Sequence, residues 1–473
     1  MGPDRSSHSS SRRPAFRRYS TSAILSFTIH SEEDLYISNA KCERKLGIAK
    51  FSIVALMVLF SLMSYFDRTI MSVAGPGIIR DFGLSETQMG AVYSAFLLGY
   101  ALMMIPAGYL ADRLGPWRTL IWMGFGAALF TGLTAFGTRP GLGSWLGIVP
   151  ALIAIRFLMG VCTAPLYPAC GRMNANWFPV TRQGLVWGLV AAGAGIGSAL
   201  SPSLFAWMIP HYGWRKSFWL AGLTTALLAA MWAWYARDRP SHRRFNPTGD
   251  ALPLLSVKTE VNTSGNLALL RKLLTNRNVM LLALGYMTVG YFEYIFFYWI
   301  YYYFGQVRRM SPTETSIYTT VIFLAWVVMT PLGGWLSDRL TRTLGKKIGR
   351  PIVPAGGILL SALLLFLGTH ASSSWMVGAL LALSFGLASA SDGPFWAATI
   401  DAGGENVGAA CGVLNTGNNV GGFIAPVLTP FIASFGGWSS ALYFGCFIAT
   451  VGAAIWFFMD TTPPVISREY GVI

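Results

Sequence analysis

Charge is scarce in this chain: Asp, Glu, Lys and Arg make up 12% of its 473 residues, about half the share of a soluble globular domain. Histidine is scarcer still, with five residues, and the five cysteines (Cys42, Cys162, Cys170, Cys411, Cys446) form no CxxC pair. Cys162 and Cys170 stand eight positions apart on one expected helix, about 12 Å by the helical rise and beyond disulfide reach. The cysteines therefore read as small packing residues. The sequence has no GxxxxGK[ST] phosphate loop, no HExxH and no GxSxG, so neither a nucleotide-driven pump nor a membrane hydrolase is supported. The expectation is a chain that is not an enzyme, with no cofactor and no metal.

Apolar residues are what the chain has in plenty: 53% of it, with a mean hydropathy of +0.50. Runs of about 18–25 such residues match a hydrocarbon core of ~30 Å, and only helices satisfy their own backbone there at that length. Twelve are expected, over 48–66, 87–111, 117–136, 146–170, 183–206, 217–235, 279–304, 313–337, 351–370, 375–400, 406–432 and 437–459. The fold class is an all-α membrane protein, with the lipid bilayer as its solvent.

A formal charge of +15 raises nucleic acid as a partner, but the basic residues form no single patch. Arg113 and Arg118, then Arg172 and Arg182, then the run from Arg237 to Arg277, then Arg339 to Arg350 fall in every second connection. The positive-inside rule makes these connections cytoplasmic and places both termini inside. Arg215, Lys216, Arg308 and Arg309 fall on the opposite side and weaken the pattern without reversing it. The leader 1–47, rich in Ser and Arg, reads as a disordered basic cytoplasmic tail, because its apolar patch Ala23–Ile29 is too short to span.

Two halves are similar. "GYLADRLGPWR" around Asp112 matches "GGWLSDRLTRTLGKK" around Asp338, 226 positions on, and Gly193–Trp214 matches Gly417–Trp438, 224 on. Two independent matches at nearly one offset indicate duplicated six-helix bundles, 48–236 and 279–460, joined by a polar linker 237–278 and followed by a tail 461–473. Such halves suit alternating access around a central site. In each Asp-Arg turn (Gly108, Asp112 and Arg113; Asp338 and Arg339) a carboxylate and a guanidinium can pair between bundles in one conformation, or simply form a surface turn.

An ionisable residue inside a span is costly and marks a functional site by default. Arg156 sits centrally in its span; the alternative is a structural ion pair. Arg68, near the outer end of the first span as read, can instead snorkel to the interface. Together the two offer planar donors suited to a carboxylate. Glu293 and Asp392 lie in apolar surroundings and are candidate proton carriers; Glu293 can equally pair with an arginine, and Asp392 can cap a helix before Pro394. Tyr294, Tyr298 and Tyr301 repeat along one helix face and can meet a substrate, or serve only packing.

"YFDRTIMSVAGPGIIRDFGLSETQMG", "RFLMGVCTAPLYPACGRMNANWFP" and "RDRPSHRRFNP" resemble the major facilitator superfamily, and within it the anion:cation symporters that include bacterial sugar-acid carriers. That resemblance, from about Phe51 to Asp460, implies proton-coupled movement of a small organic anion by a single chain in the cell membrane, taken as a bacterial inner membrane. It implies that Arg68 binds substrate and Asp67 takes part in proton coupling. It also implies that Tyr65, Tyr100, Trp396 and Asn415 line the site. Asp67, adjacent to Arg68, is expected to face the partner bundle or the vestibule, or to act as a local neutraliser of Arg68. Two positions depart from the family: Thr163 stands where relatives commonly carry a glutamate, and Met104 where many carry a glutamine. Drug efflux by antiport fits two fixed cations less well, and nothing resembles the signalling domain that a membrane receptor would need.

Overall fold

The computed structural model describes residues 21–137, 141–239, 271, 273–403 and 407–459, and among them every regular element is helical. In chain order they are α1 (Thr21–Phe82), α2 (Glu86–Leu114), α3 (Pro116–Thr134), the single turn α4 (Leu142–Leu146), α5 (Ile148–Thr163), α6 (Leu166–Trp177), α7 (Val180–Tyr212) and α8 (Trp214–Tyr235). The second half holds α9 (Arg277–Tyr302), α10 (Pro312–Leu344), α11 (Lys346–His370), α12 (Ser374–Ser389), α13 (Asp392–Gly403) and α14 (Val407–Ile455). Nine described helical stretches are long and apolar enough to cross a membrane, and α2, bent by 53° beside Pro106, makes ten. One of the nine holds two helices, since α14 turns at Gly437. The expected all-α membrane fold is thus what the chain adopts.

The first span is longer than the sequence suggested. α1 runs unbroken from Thr21 to Phe82, so 21–47, expected as disordered tail, is helical, and the helix continues well past residue 66. The reason is local: between Pro14 and Pro76 the chain has no proline, and before Gly47 no glycine after Gly2, so nothing interrupts helix propagation. The tail 461–473, the first twenty residues and most of the linker 237–278 lie outside the described residues.

The duplication extends to details of local structure. Ser85 caps α2, its Oγ accepting from Gln88 N at 3.1 Å, and Ser311 caps α10 in the same reciprocal way with Glu314; both are the capping box. Gly213 and Gly437, at φ 78° and 76°, turn the chain before the paired Trp214 and Trp438 in a backbone region that side chains disfavour. Gly193 and Gly197 of α7 lie against the carbonyls of Val58 and Leu62 on α1, as Gly417 and Gly421 of α14 lie against those of Ala283 and Met287 on α9. Small residues at such crossings let membrane helices pack backbone to backbone.

One crossing positions the site. Gly99 of α2 rests on the Phe157 carbonyl of α5, and Gly160 of α5 rests on the Phe96 carbonyl of α2. This reciprocal contact brings Phe96 and Arg156 together. Gly160→Leu is expected to force the two helices apart at a cost of about 1–3 kcal/mol, read as a lower melting temperature in detergent together with lost transport.

Candidate functional site

Arg156 on α5 is 0% exposed and Arg68, in the last third of α1, is 3% exposed. Arg68 does not extend along the surface as snorkelling requires; its side chain is buried inside the protein, and α1 continues for fourteen residues beyond it. The Arg68 guanidinium lies over the rings of Tyr65, Phe96 and Tyr100 at 4.4, 4.6 and 5.1 Å. That of Arg156 lies 5.0 Å from the same Phe96 ring and donates through Nη1 to the Met159 sulfur at 3.1 Å. Each ring face attracts its cation, but no ring supplies a counter-charge.

Among the described residues neither arginine forms an ion pair. Buried Nε of Arg68, and Nε and Nη2 of Arg156, have no hydrogen-bond partner. The Tyr298 hydroxyl of α9 is buried and stands beside both guanidiniums, within hydrogen-bonding reach of Arg156. Helices α1, α5 and α9, from both bundles, therefore converge on a place where donors are waiting. Protein interiors rarely leave such groups unmet, and an anion satisfies all of them.

Aromatic side chains enclose this place. Tyr65 lies 5.9 Å from the Trp326 ring of α10 and 6.2 Å from Phe297 of α9; Tyr298 stacks on Tyr93 at 4.7 Å and on Tyr294 at 5.9 Å. Tyr65, Arg68, Tyr100, Arg156 and Tyr298 are thus brought together as the sequence reading grouped them. Phe96, Tyr93, Phe297 and Trp326 were missed; the one available signal was that Phe96 precedes Tyr100 by four residues and so shares its helix face.

The acidic residues stand apart from the cations. Asp67 points into its own bundle, not toward the partner bundle or the vestibule: its Oδ2 accepts from Thr225 Oγ1 at 2.7 Å, with Thr131 beside it. It follows Phe66 and precedes Arg68 on a helix, so its direction differs from that of Arg68 by about 100°. Glu293 is not an arginine partner either; it accepts from Ser389 Oγ at 3.2 Å and lies close to Asp392. Asp392 opens α13, accepts from the Tyr286 hydroxyl at 3.1 Å and meets Trp326. Trp396, 37% exposed, donates to the Tyr286 hydroxyl at 3.3 Å, which places it with this acidic cluster and not with the arginines.

Asn415 donates across the bundle interface to the Met104 sulfur at 2.9 Å, and Asn419 returns to the Asn415 carbonyl at 2.8 Å. Thr163 spends its hydroxyl on its own helix, on the carbonyls of Met159 and Gly160 at 2.9 and 3.2 Å. Other bonds between bundles join Ser94 to the Phe423 carbonyl at 2.6 Å, Ser203 to Thr320 at 2.8 Å, and Tyr302 to Glu86. These hold together the end away from the Asp-Arg turns. At the turns themselves each aspartate pairs inside its own bundle, Asp112 with Arg172 at 3.6 Å and Asp338 with Arg350 at 3.0 Å. Arg113 lies against Tyr109 and Arg339 against Trp335, while Gly108 faces open space.

The sequence profile of the Major Facilitator Superfamily matches residues 57–403 and 343–470. The chain belongs to that superfamily. As a facilitator it is a multi-pass membrane transporter and not an enzyme. It is 27% identical over 382 residues to a probable sulfoacetate transporter of Cupriavidus necator, covering 80% of this chain and 86% of that one. It is 28% identical to a probable galactarate/D-glucarate transporter of Escherichia coli K12, covering 84% and 90%. With the hexuronate transporter of Bacillus subtilis it shares 28% identity over 86% and 92% of the two chains. Its fold matches an inward-facing, unoccupied bacterial homolog of the human lysosomal transporter Spinster with a TM-score of 0.71, at 18% identity, over 87% of this chain and 96% of that one.

Breaking up a buried ion pair destabilises a protein, whereas removing an uncompensated buried charge does not. In this facilitator Arg156→Met is therefore expected to leave the melting temperature unchanged or raised while transport falls by at least about tenfold, the trade between stability and function that strained sites show. A marked drop in melting temperature would instead reveal a structural role for the arginine.

Proposed function

We propose that the protein carries a small organic anion, a sugar acid or a related carboxylate, across the cell membrane by alternating access and proton symport. The observation that carries this reading is the pair of buried guanidiniums that form no ion pair among the described residues and keep open nitrogens, with the Tyr298 hydroxyl of the other bundle beside both. Relatives named for sulfoacetate, galactarate or glucarate, and hexuronate support an acidic substrate. In this reading the termini and both Asp-Arg turns are cytoplasmic. The bundle contacts near Glu86 and Ser203 then form the closed outer end, and the conformation faces inward. One chain suffices, because the path lies within it.

Three carboxylates are the proton carriers of this reading. Asp67 sits within electrostatic reach of Arg156, so an anion arriving at the arginine alters the field at the carboxylate. Glu293 and Asp392 form a second acidic site, tied to the anion site through Trp326, which touches both Asp392 and Tyr65. Thr163 favours a second reading, exchange or facilitated transport without protons, because its hydroxyl cannot titrate in the working range and is engaged with its own backbone.

Uptake into proteoliposomes, measured across labelled sugar acids and other small carboxylates with and without an inward proton gradient, separates the two. Symport predicts uptake that rises with the gradient, is abolished by Arg156→Ala, and loses only its gradient dependence in Glu293→Gln. Uptake indifferent to the gradient in the native chain contradicts symport and leaves the uncoupled reading.

A further inference from the structure

Arg68 and Arg156 give the anion site two cations, each with open donors. Both guanidiniums flank the Phe96 ring, at 4.6 and 5.0 Å from its centre, which puts them within about 10 Å of one another and in reach of one small molecule. Asp67 is within electrostatic reach of Arg156, but one of its oxygens is held by Thr225 at 2.7 Å, and among the described residues it forms no ion pair with either arginine. Two turns after Arg156 on α5 stands Thr163. A side chain there leans back along the helix toward Arg156, yet the threonine brings no charge and its hydroxyl closes on Met159 and Gly160.

A ligand with one acidic group leaves one of these cations buried and uncompensated when the bundles close over it, which is a strong penalty against that ligand. A ligand with two acidic groups meets both. Building on the organic-anion reading above, we infer that the transported molecule carries two acidic groups on one short skeleton, one seated on Arg68 and the other on Arg156. The Tyr298 hydroxyl, beside both guanidiniums and able to accept from Arg156, keeps its own proton to donate to the skeleton or to either group. Monoacids of the same skeleton are discriminated against.

Matched pairs test this: glucarate against gluconate, and glutarate against butyrate. The readouts are ligand-induced thermal stabilisation of the purified full chain and competition for uptake in liposomes. For the native chain the diacid of the better-recognised pair is expected to act at concentrations at least about tenfold lower than its monoacid, a difference of about 1.4 kcal/mol. Thr163→Glu supplies a fixed carboxylate beside Arg156 and is expected to erase or reverse that ratio. A monoacid that matches or outperforms its diacid on the native chain overturns the inference, as does a folded Thr163→Glu with an unchanged ratio, and organic-anion transport then still stands. If Thr163→Glu does not fold, the native ratio alone decides. Stabilisation and uptake by neither class overturns the organic-anion reading and this inference with it.

Discussion

Two guanidiniums sealed inside a membrane protein, neither in an ion pair among the described residues, are the constraint on which the rest of the structure turns. An isolated charge in a low-dielectric interior is expensive, and Arg68 and Arg156 are softened by aromatic faces, one sulfur and the hydroxyls of Tyr100 and Tyr298. In the proposed function that cost is met by an anion that comes and goes. Reciprocal glycine contacts lock α2 to α5, so that Phe96 and Arg156 share a fixed geometry in the first bundle, with Arg68 against the same ring. The second bundle contributes Tyr298, whose hydroxyl stands beside both guanidiniums. An anion bound among these groups touches both halves of the molecule.

That placement links binding to movement. The bundles are held together at one end by neutral hydrogen bonds and by Tyr302 on Glu86, while the charged turns at the other end pair inside their own bundles. The duplicated caps and turns, Ser85 with Ser311 and Gly213 with Gly437, make each half a body with matching internal geometry. Trp326 lies between the aromatic wall of the anion site and the acidic group formed by Asp392 and Glu293. The two polar centres are therefore neighbours through one side chain.

Much of this was legible in the sequence, and the exceptions share a cause. The duplicated local structure, the all-helical membrane fold and the burial of Arg156 within its bundle followed from repeat offset, hydropathy and the position of one charge in an apolar run. Tyr298 was found from helical periodicity alone. What escaped was direction: Asp67 and Arg68 are adjacent, and only tertiary packing shows that one turns to Thr225 while the other turns to Phe96. Glu293 was equally open until its partners Ser389 and Asp392 were in place. Phe96 and Trp326 were missed because aromatic residues are common in any membrane span, and nothing in composition separates a cage wall from a packing residue. The length of α1 was misjudged because polarity was read as the end of the span, when polarity around Asp67 and Arg68 marks the site.

The most direct measurement is an electron cryomicroscopy structure of the full chain with a bound small organic acid that stabilises it. The account predicts acidic oxygens within about 3 Å of the open nitrogens of Arg68 and Arg156, with the Tyr298 hydroxyl on the same molecule. A structure in which the acid binds elsewhere, and Asp67 has turned to pair with either arginine, would contradict it.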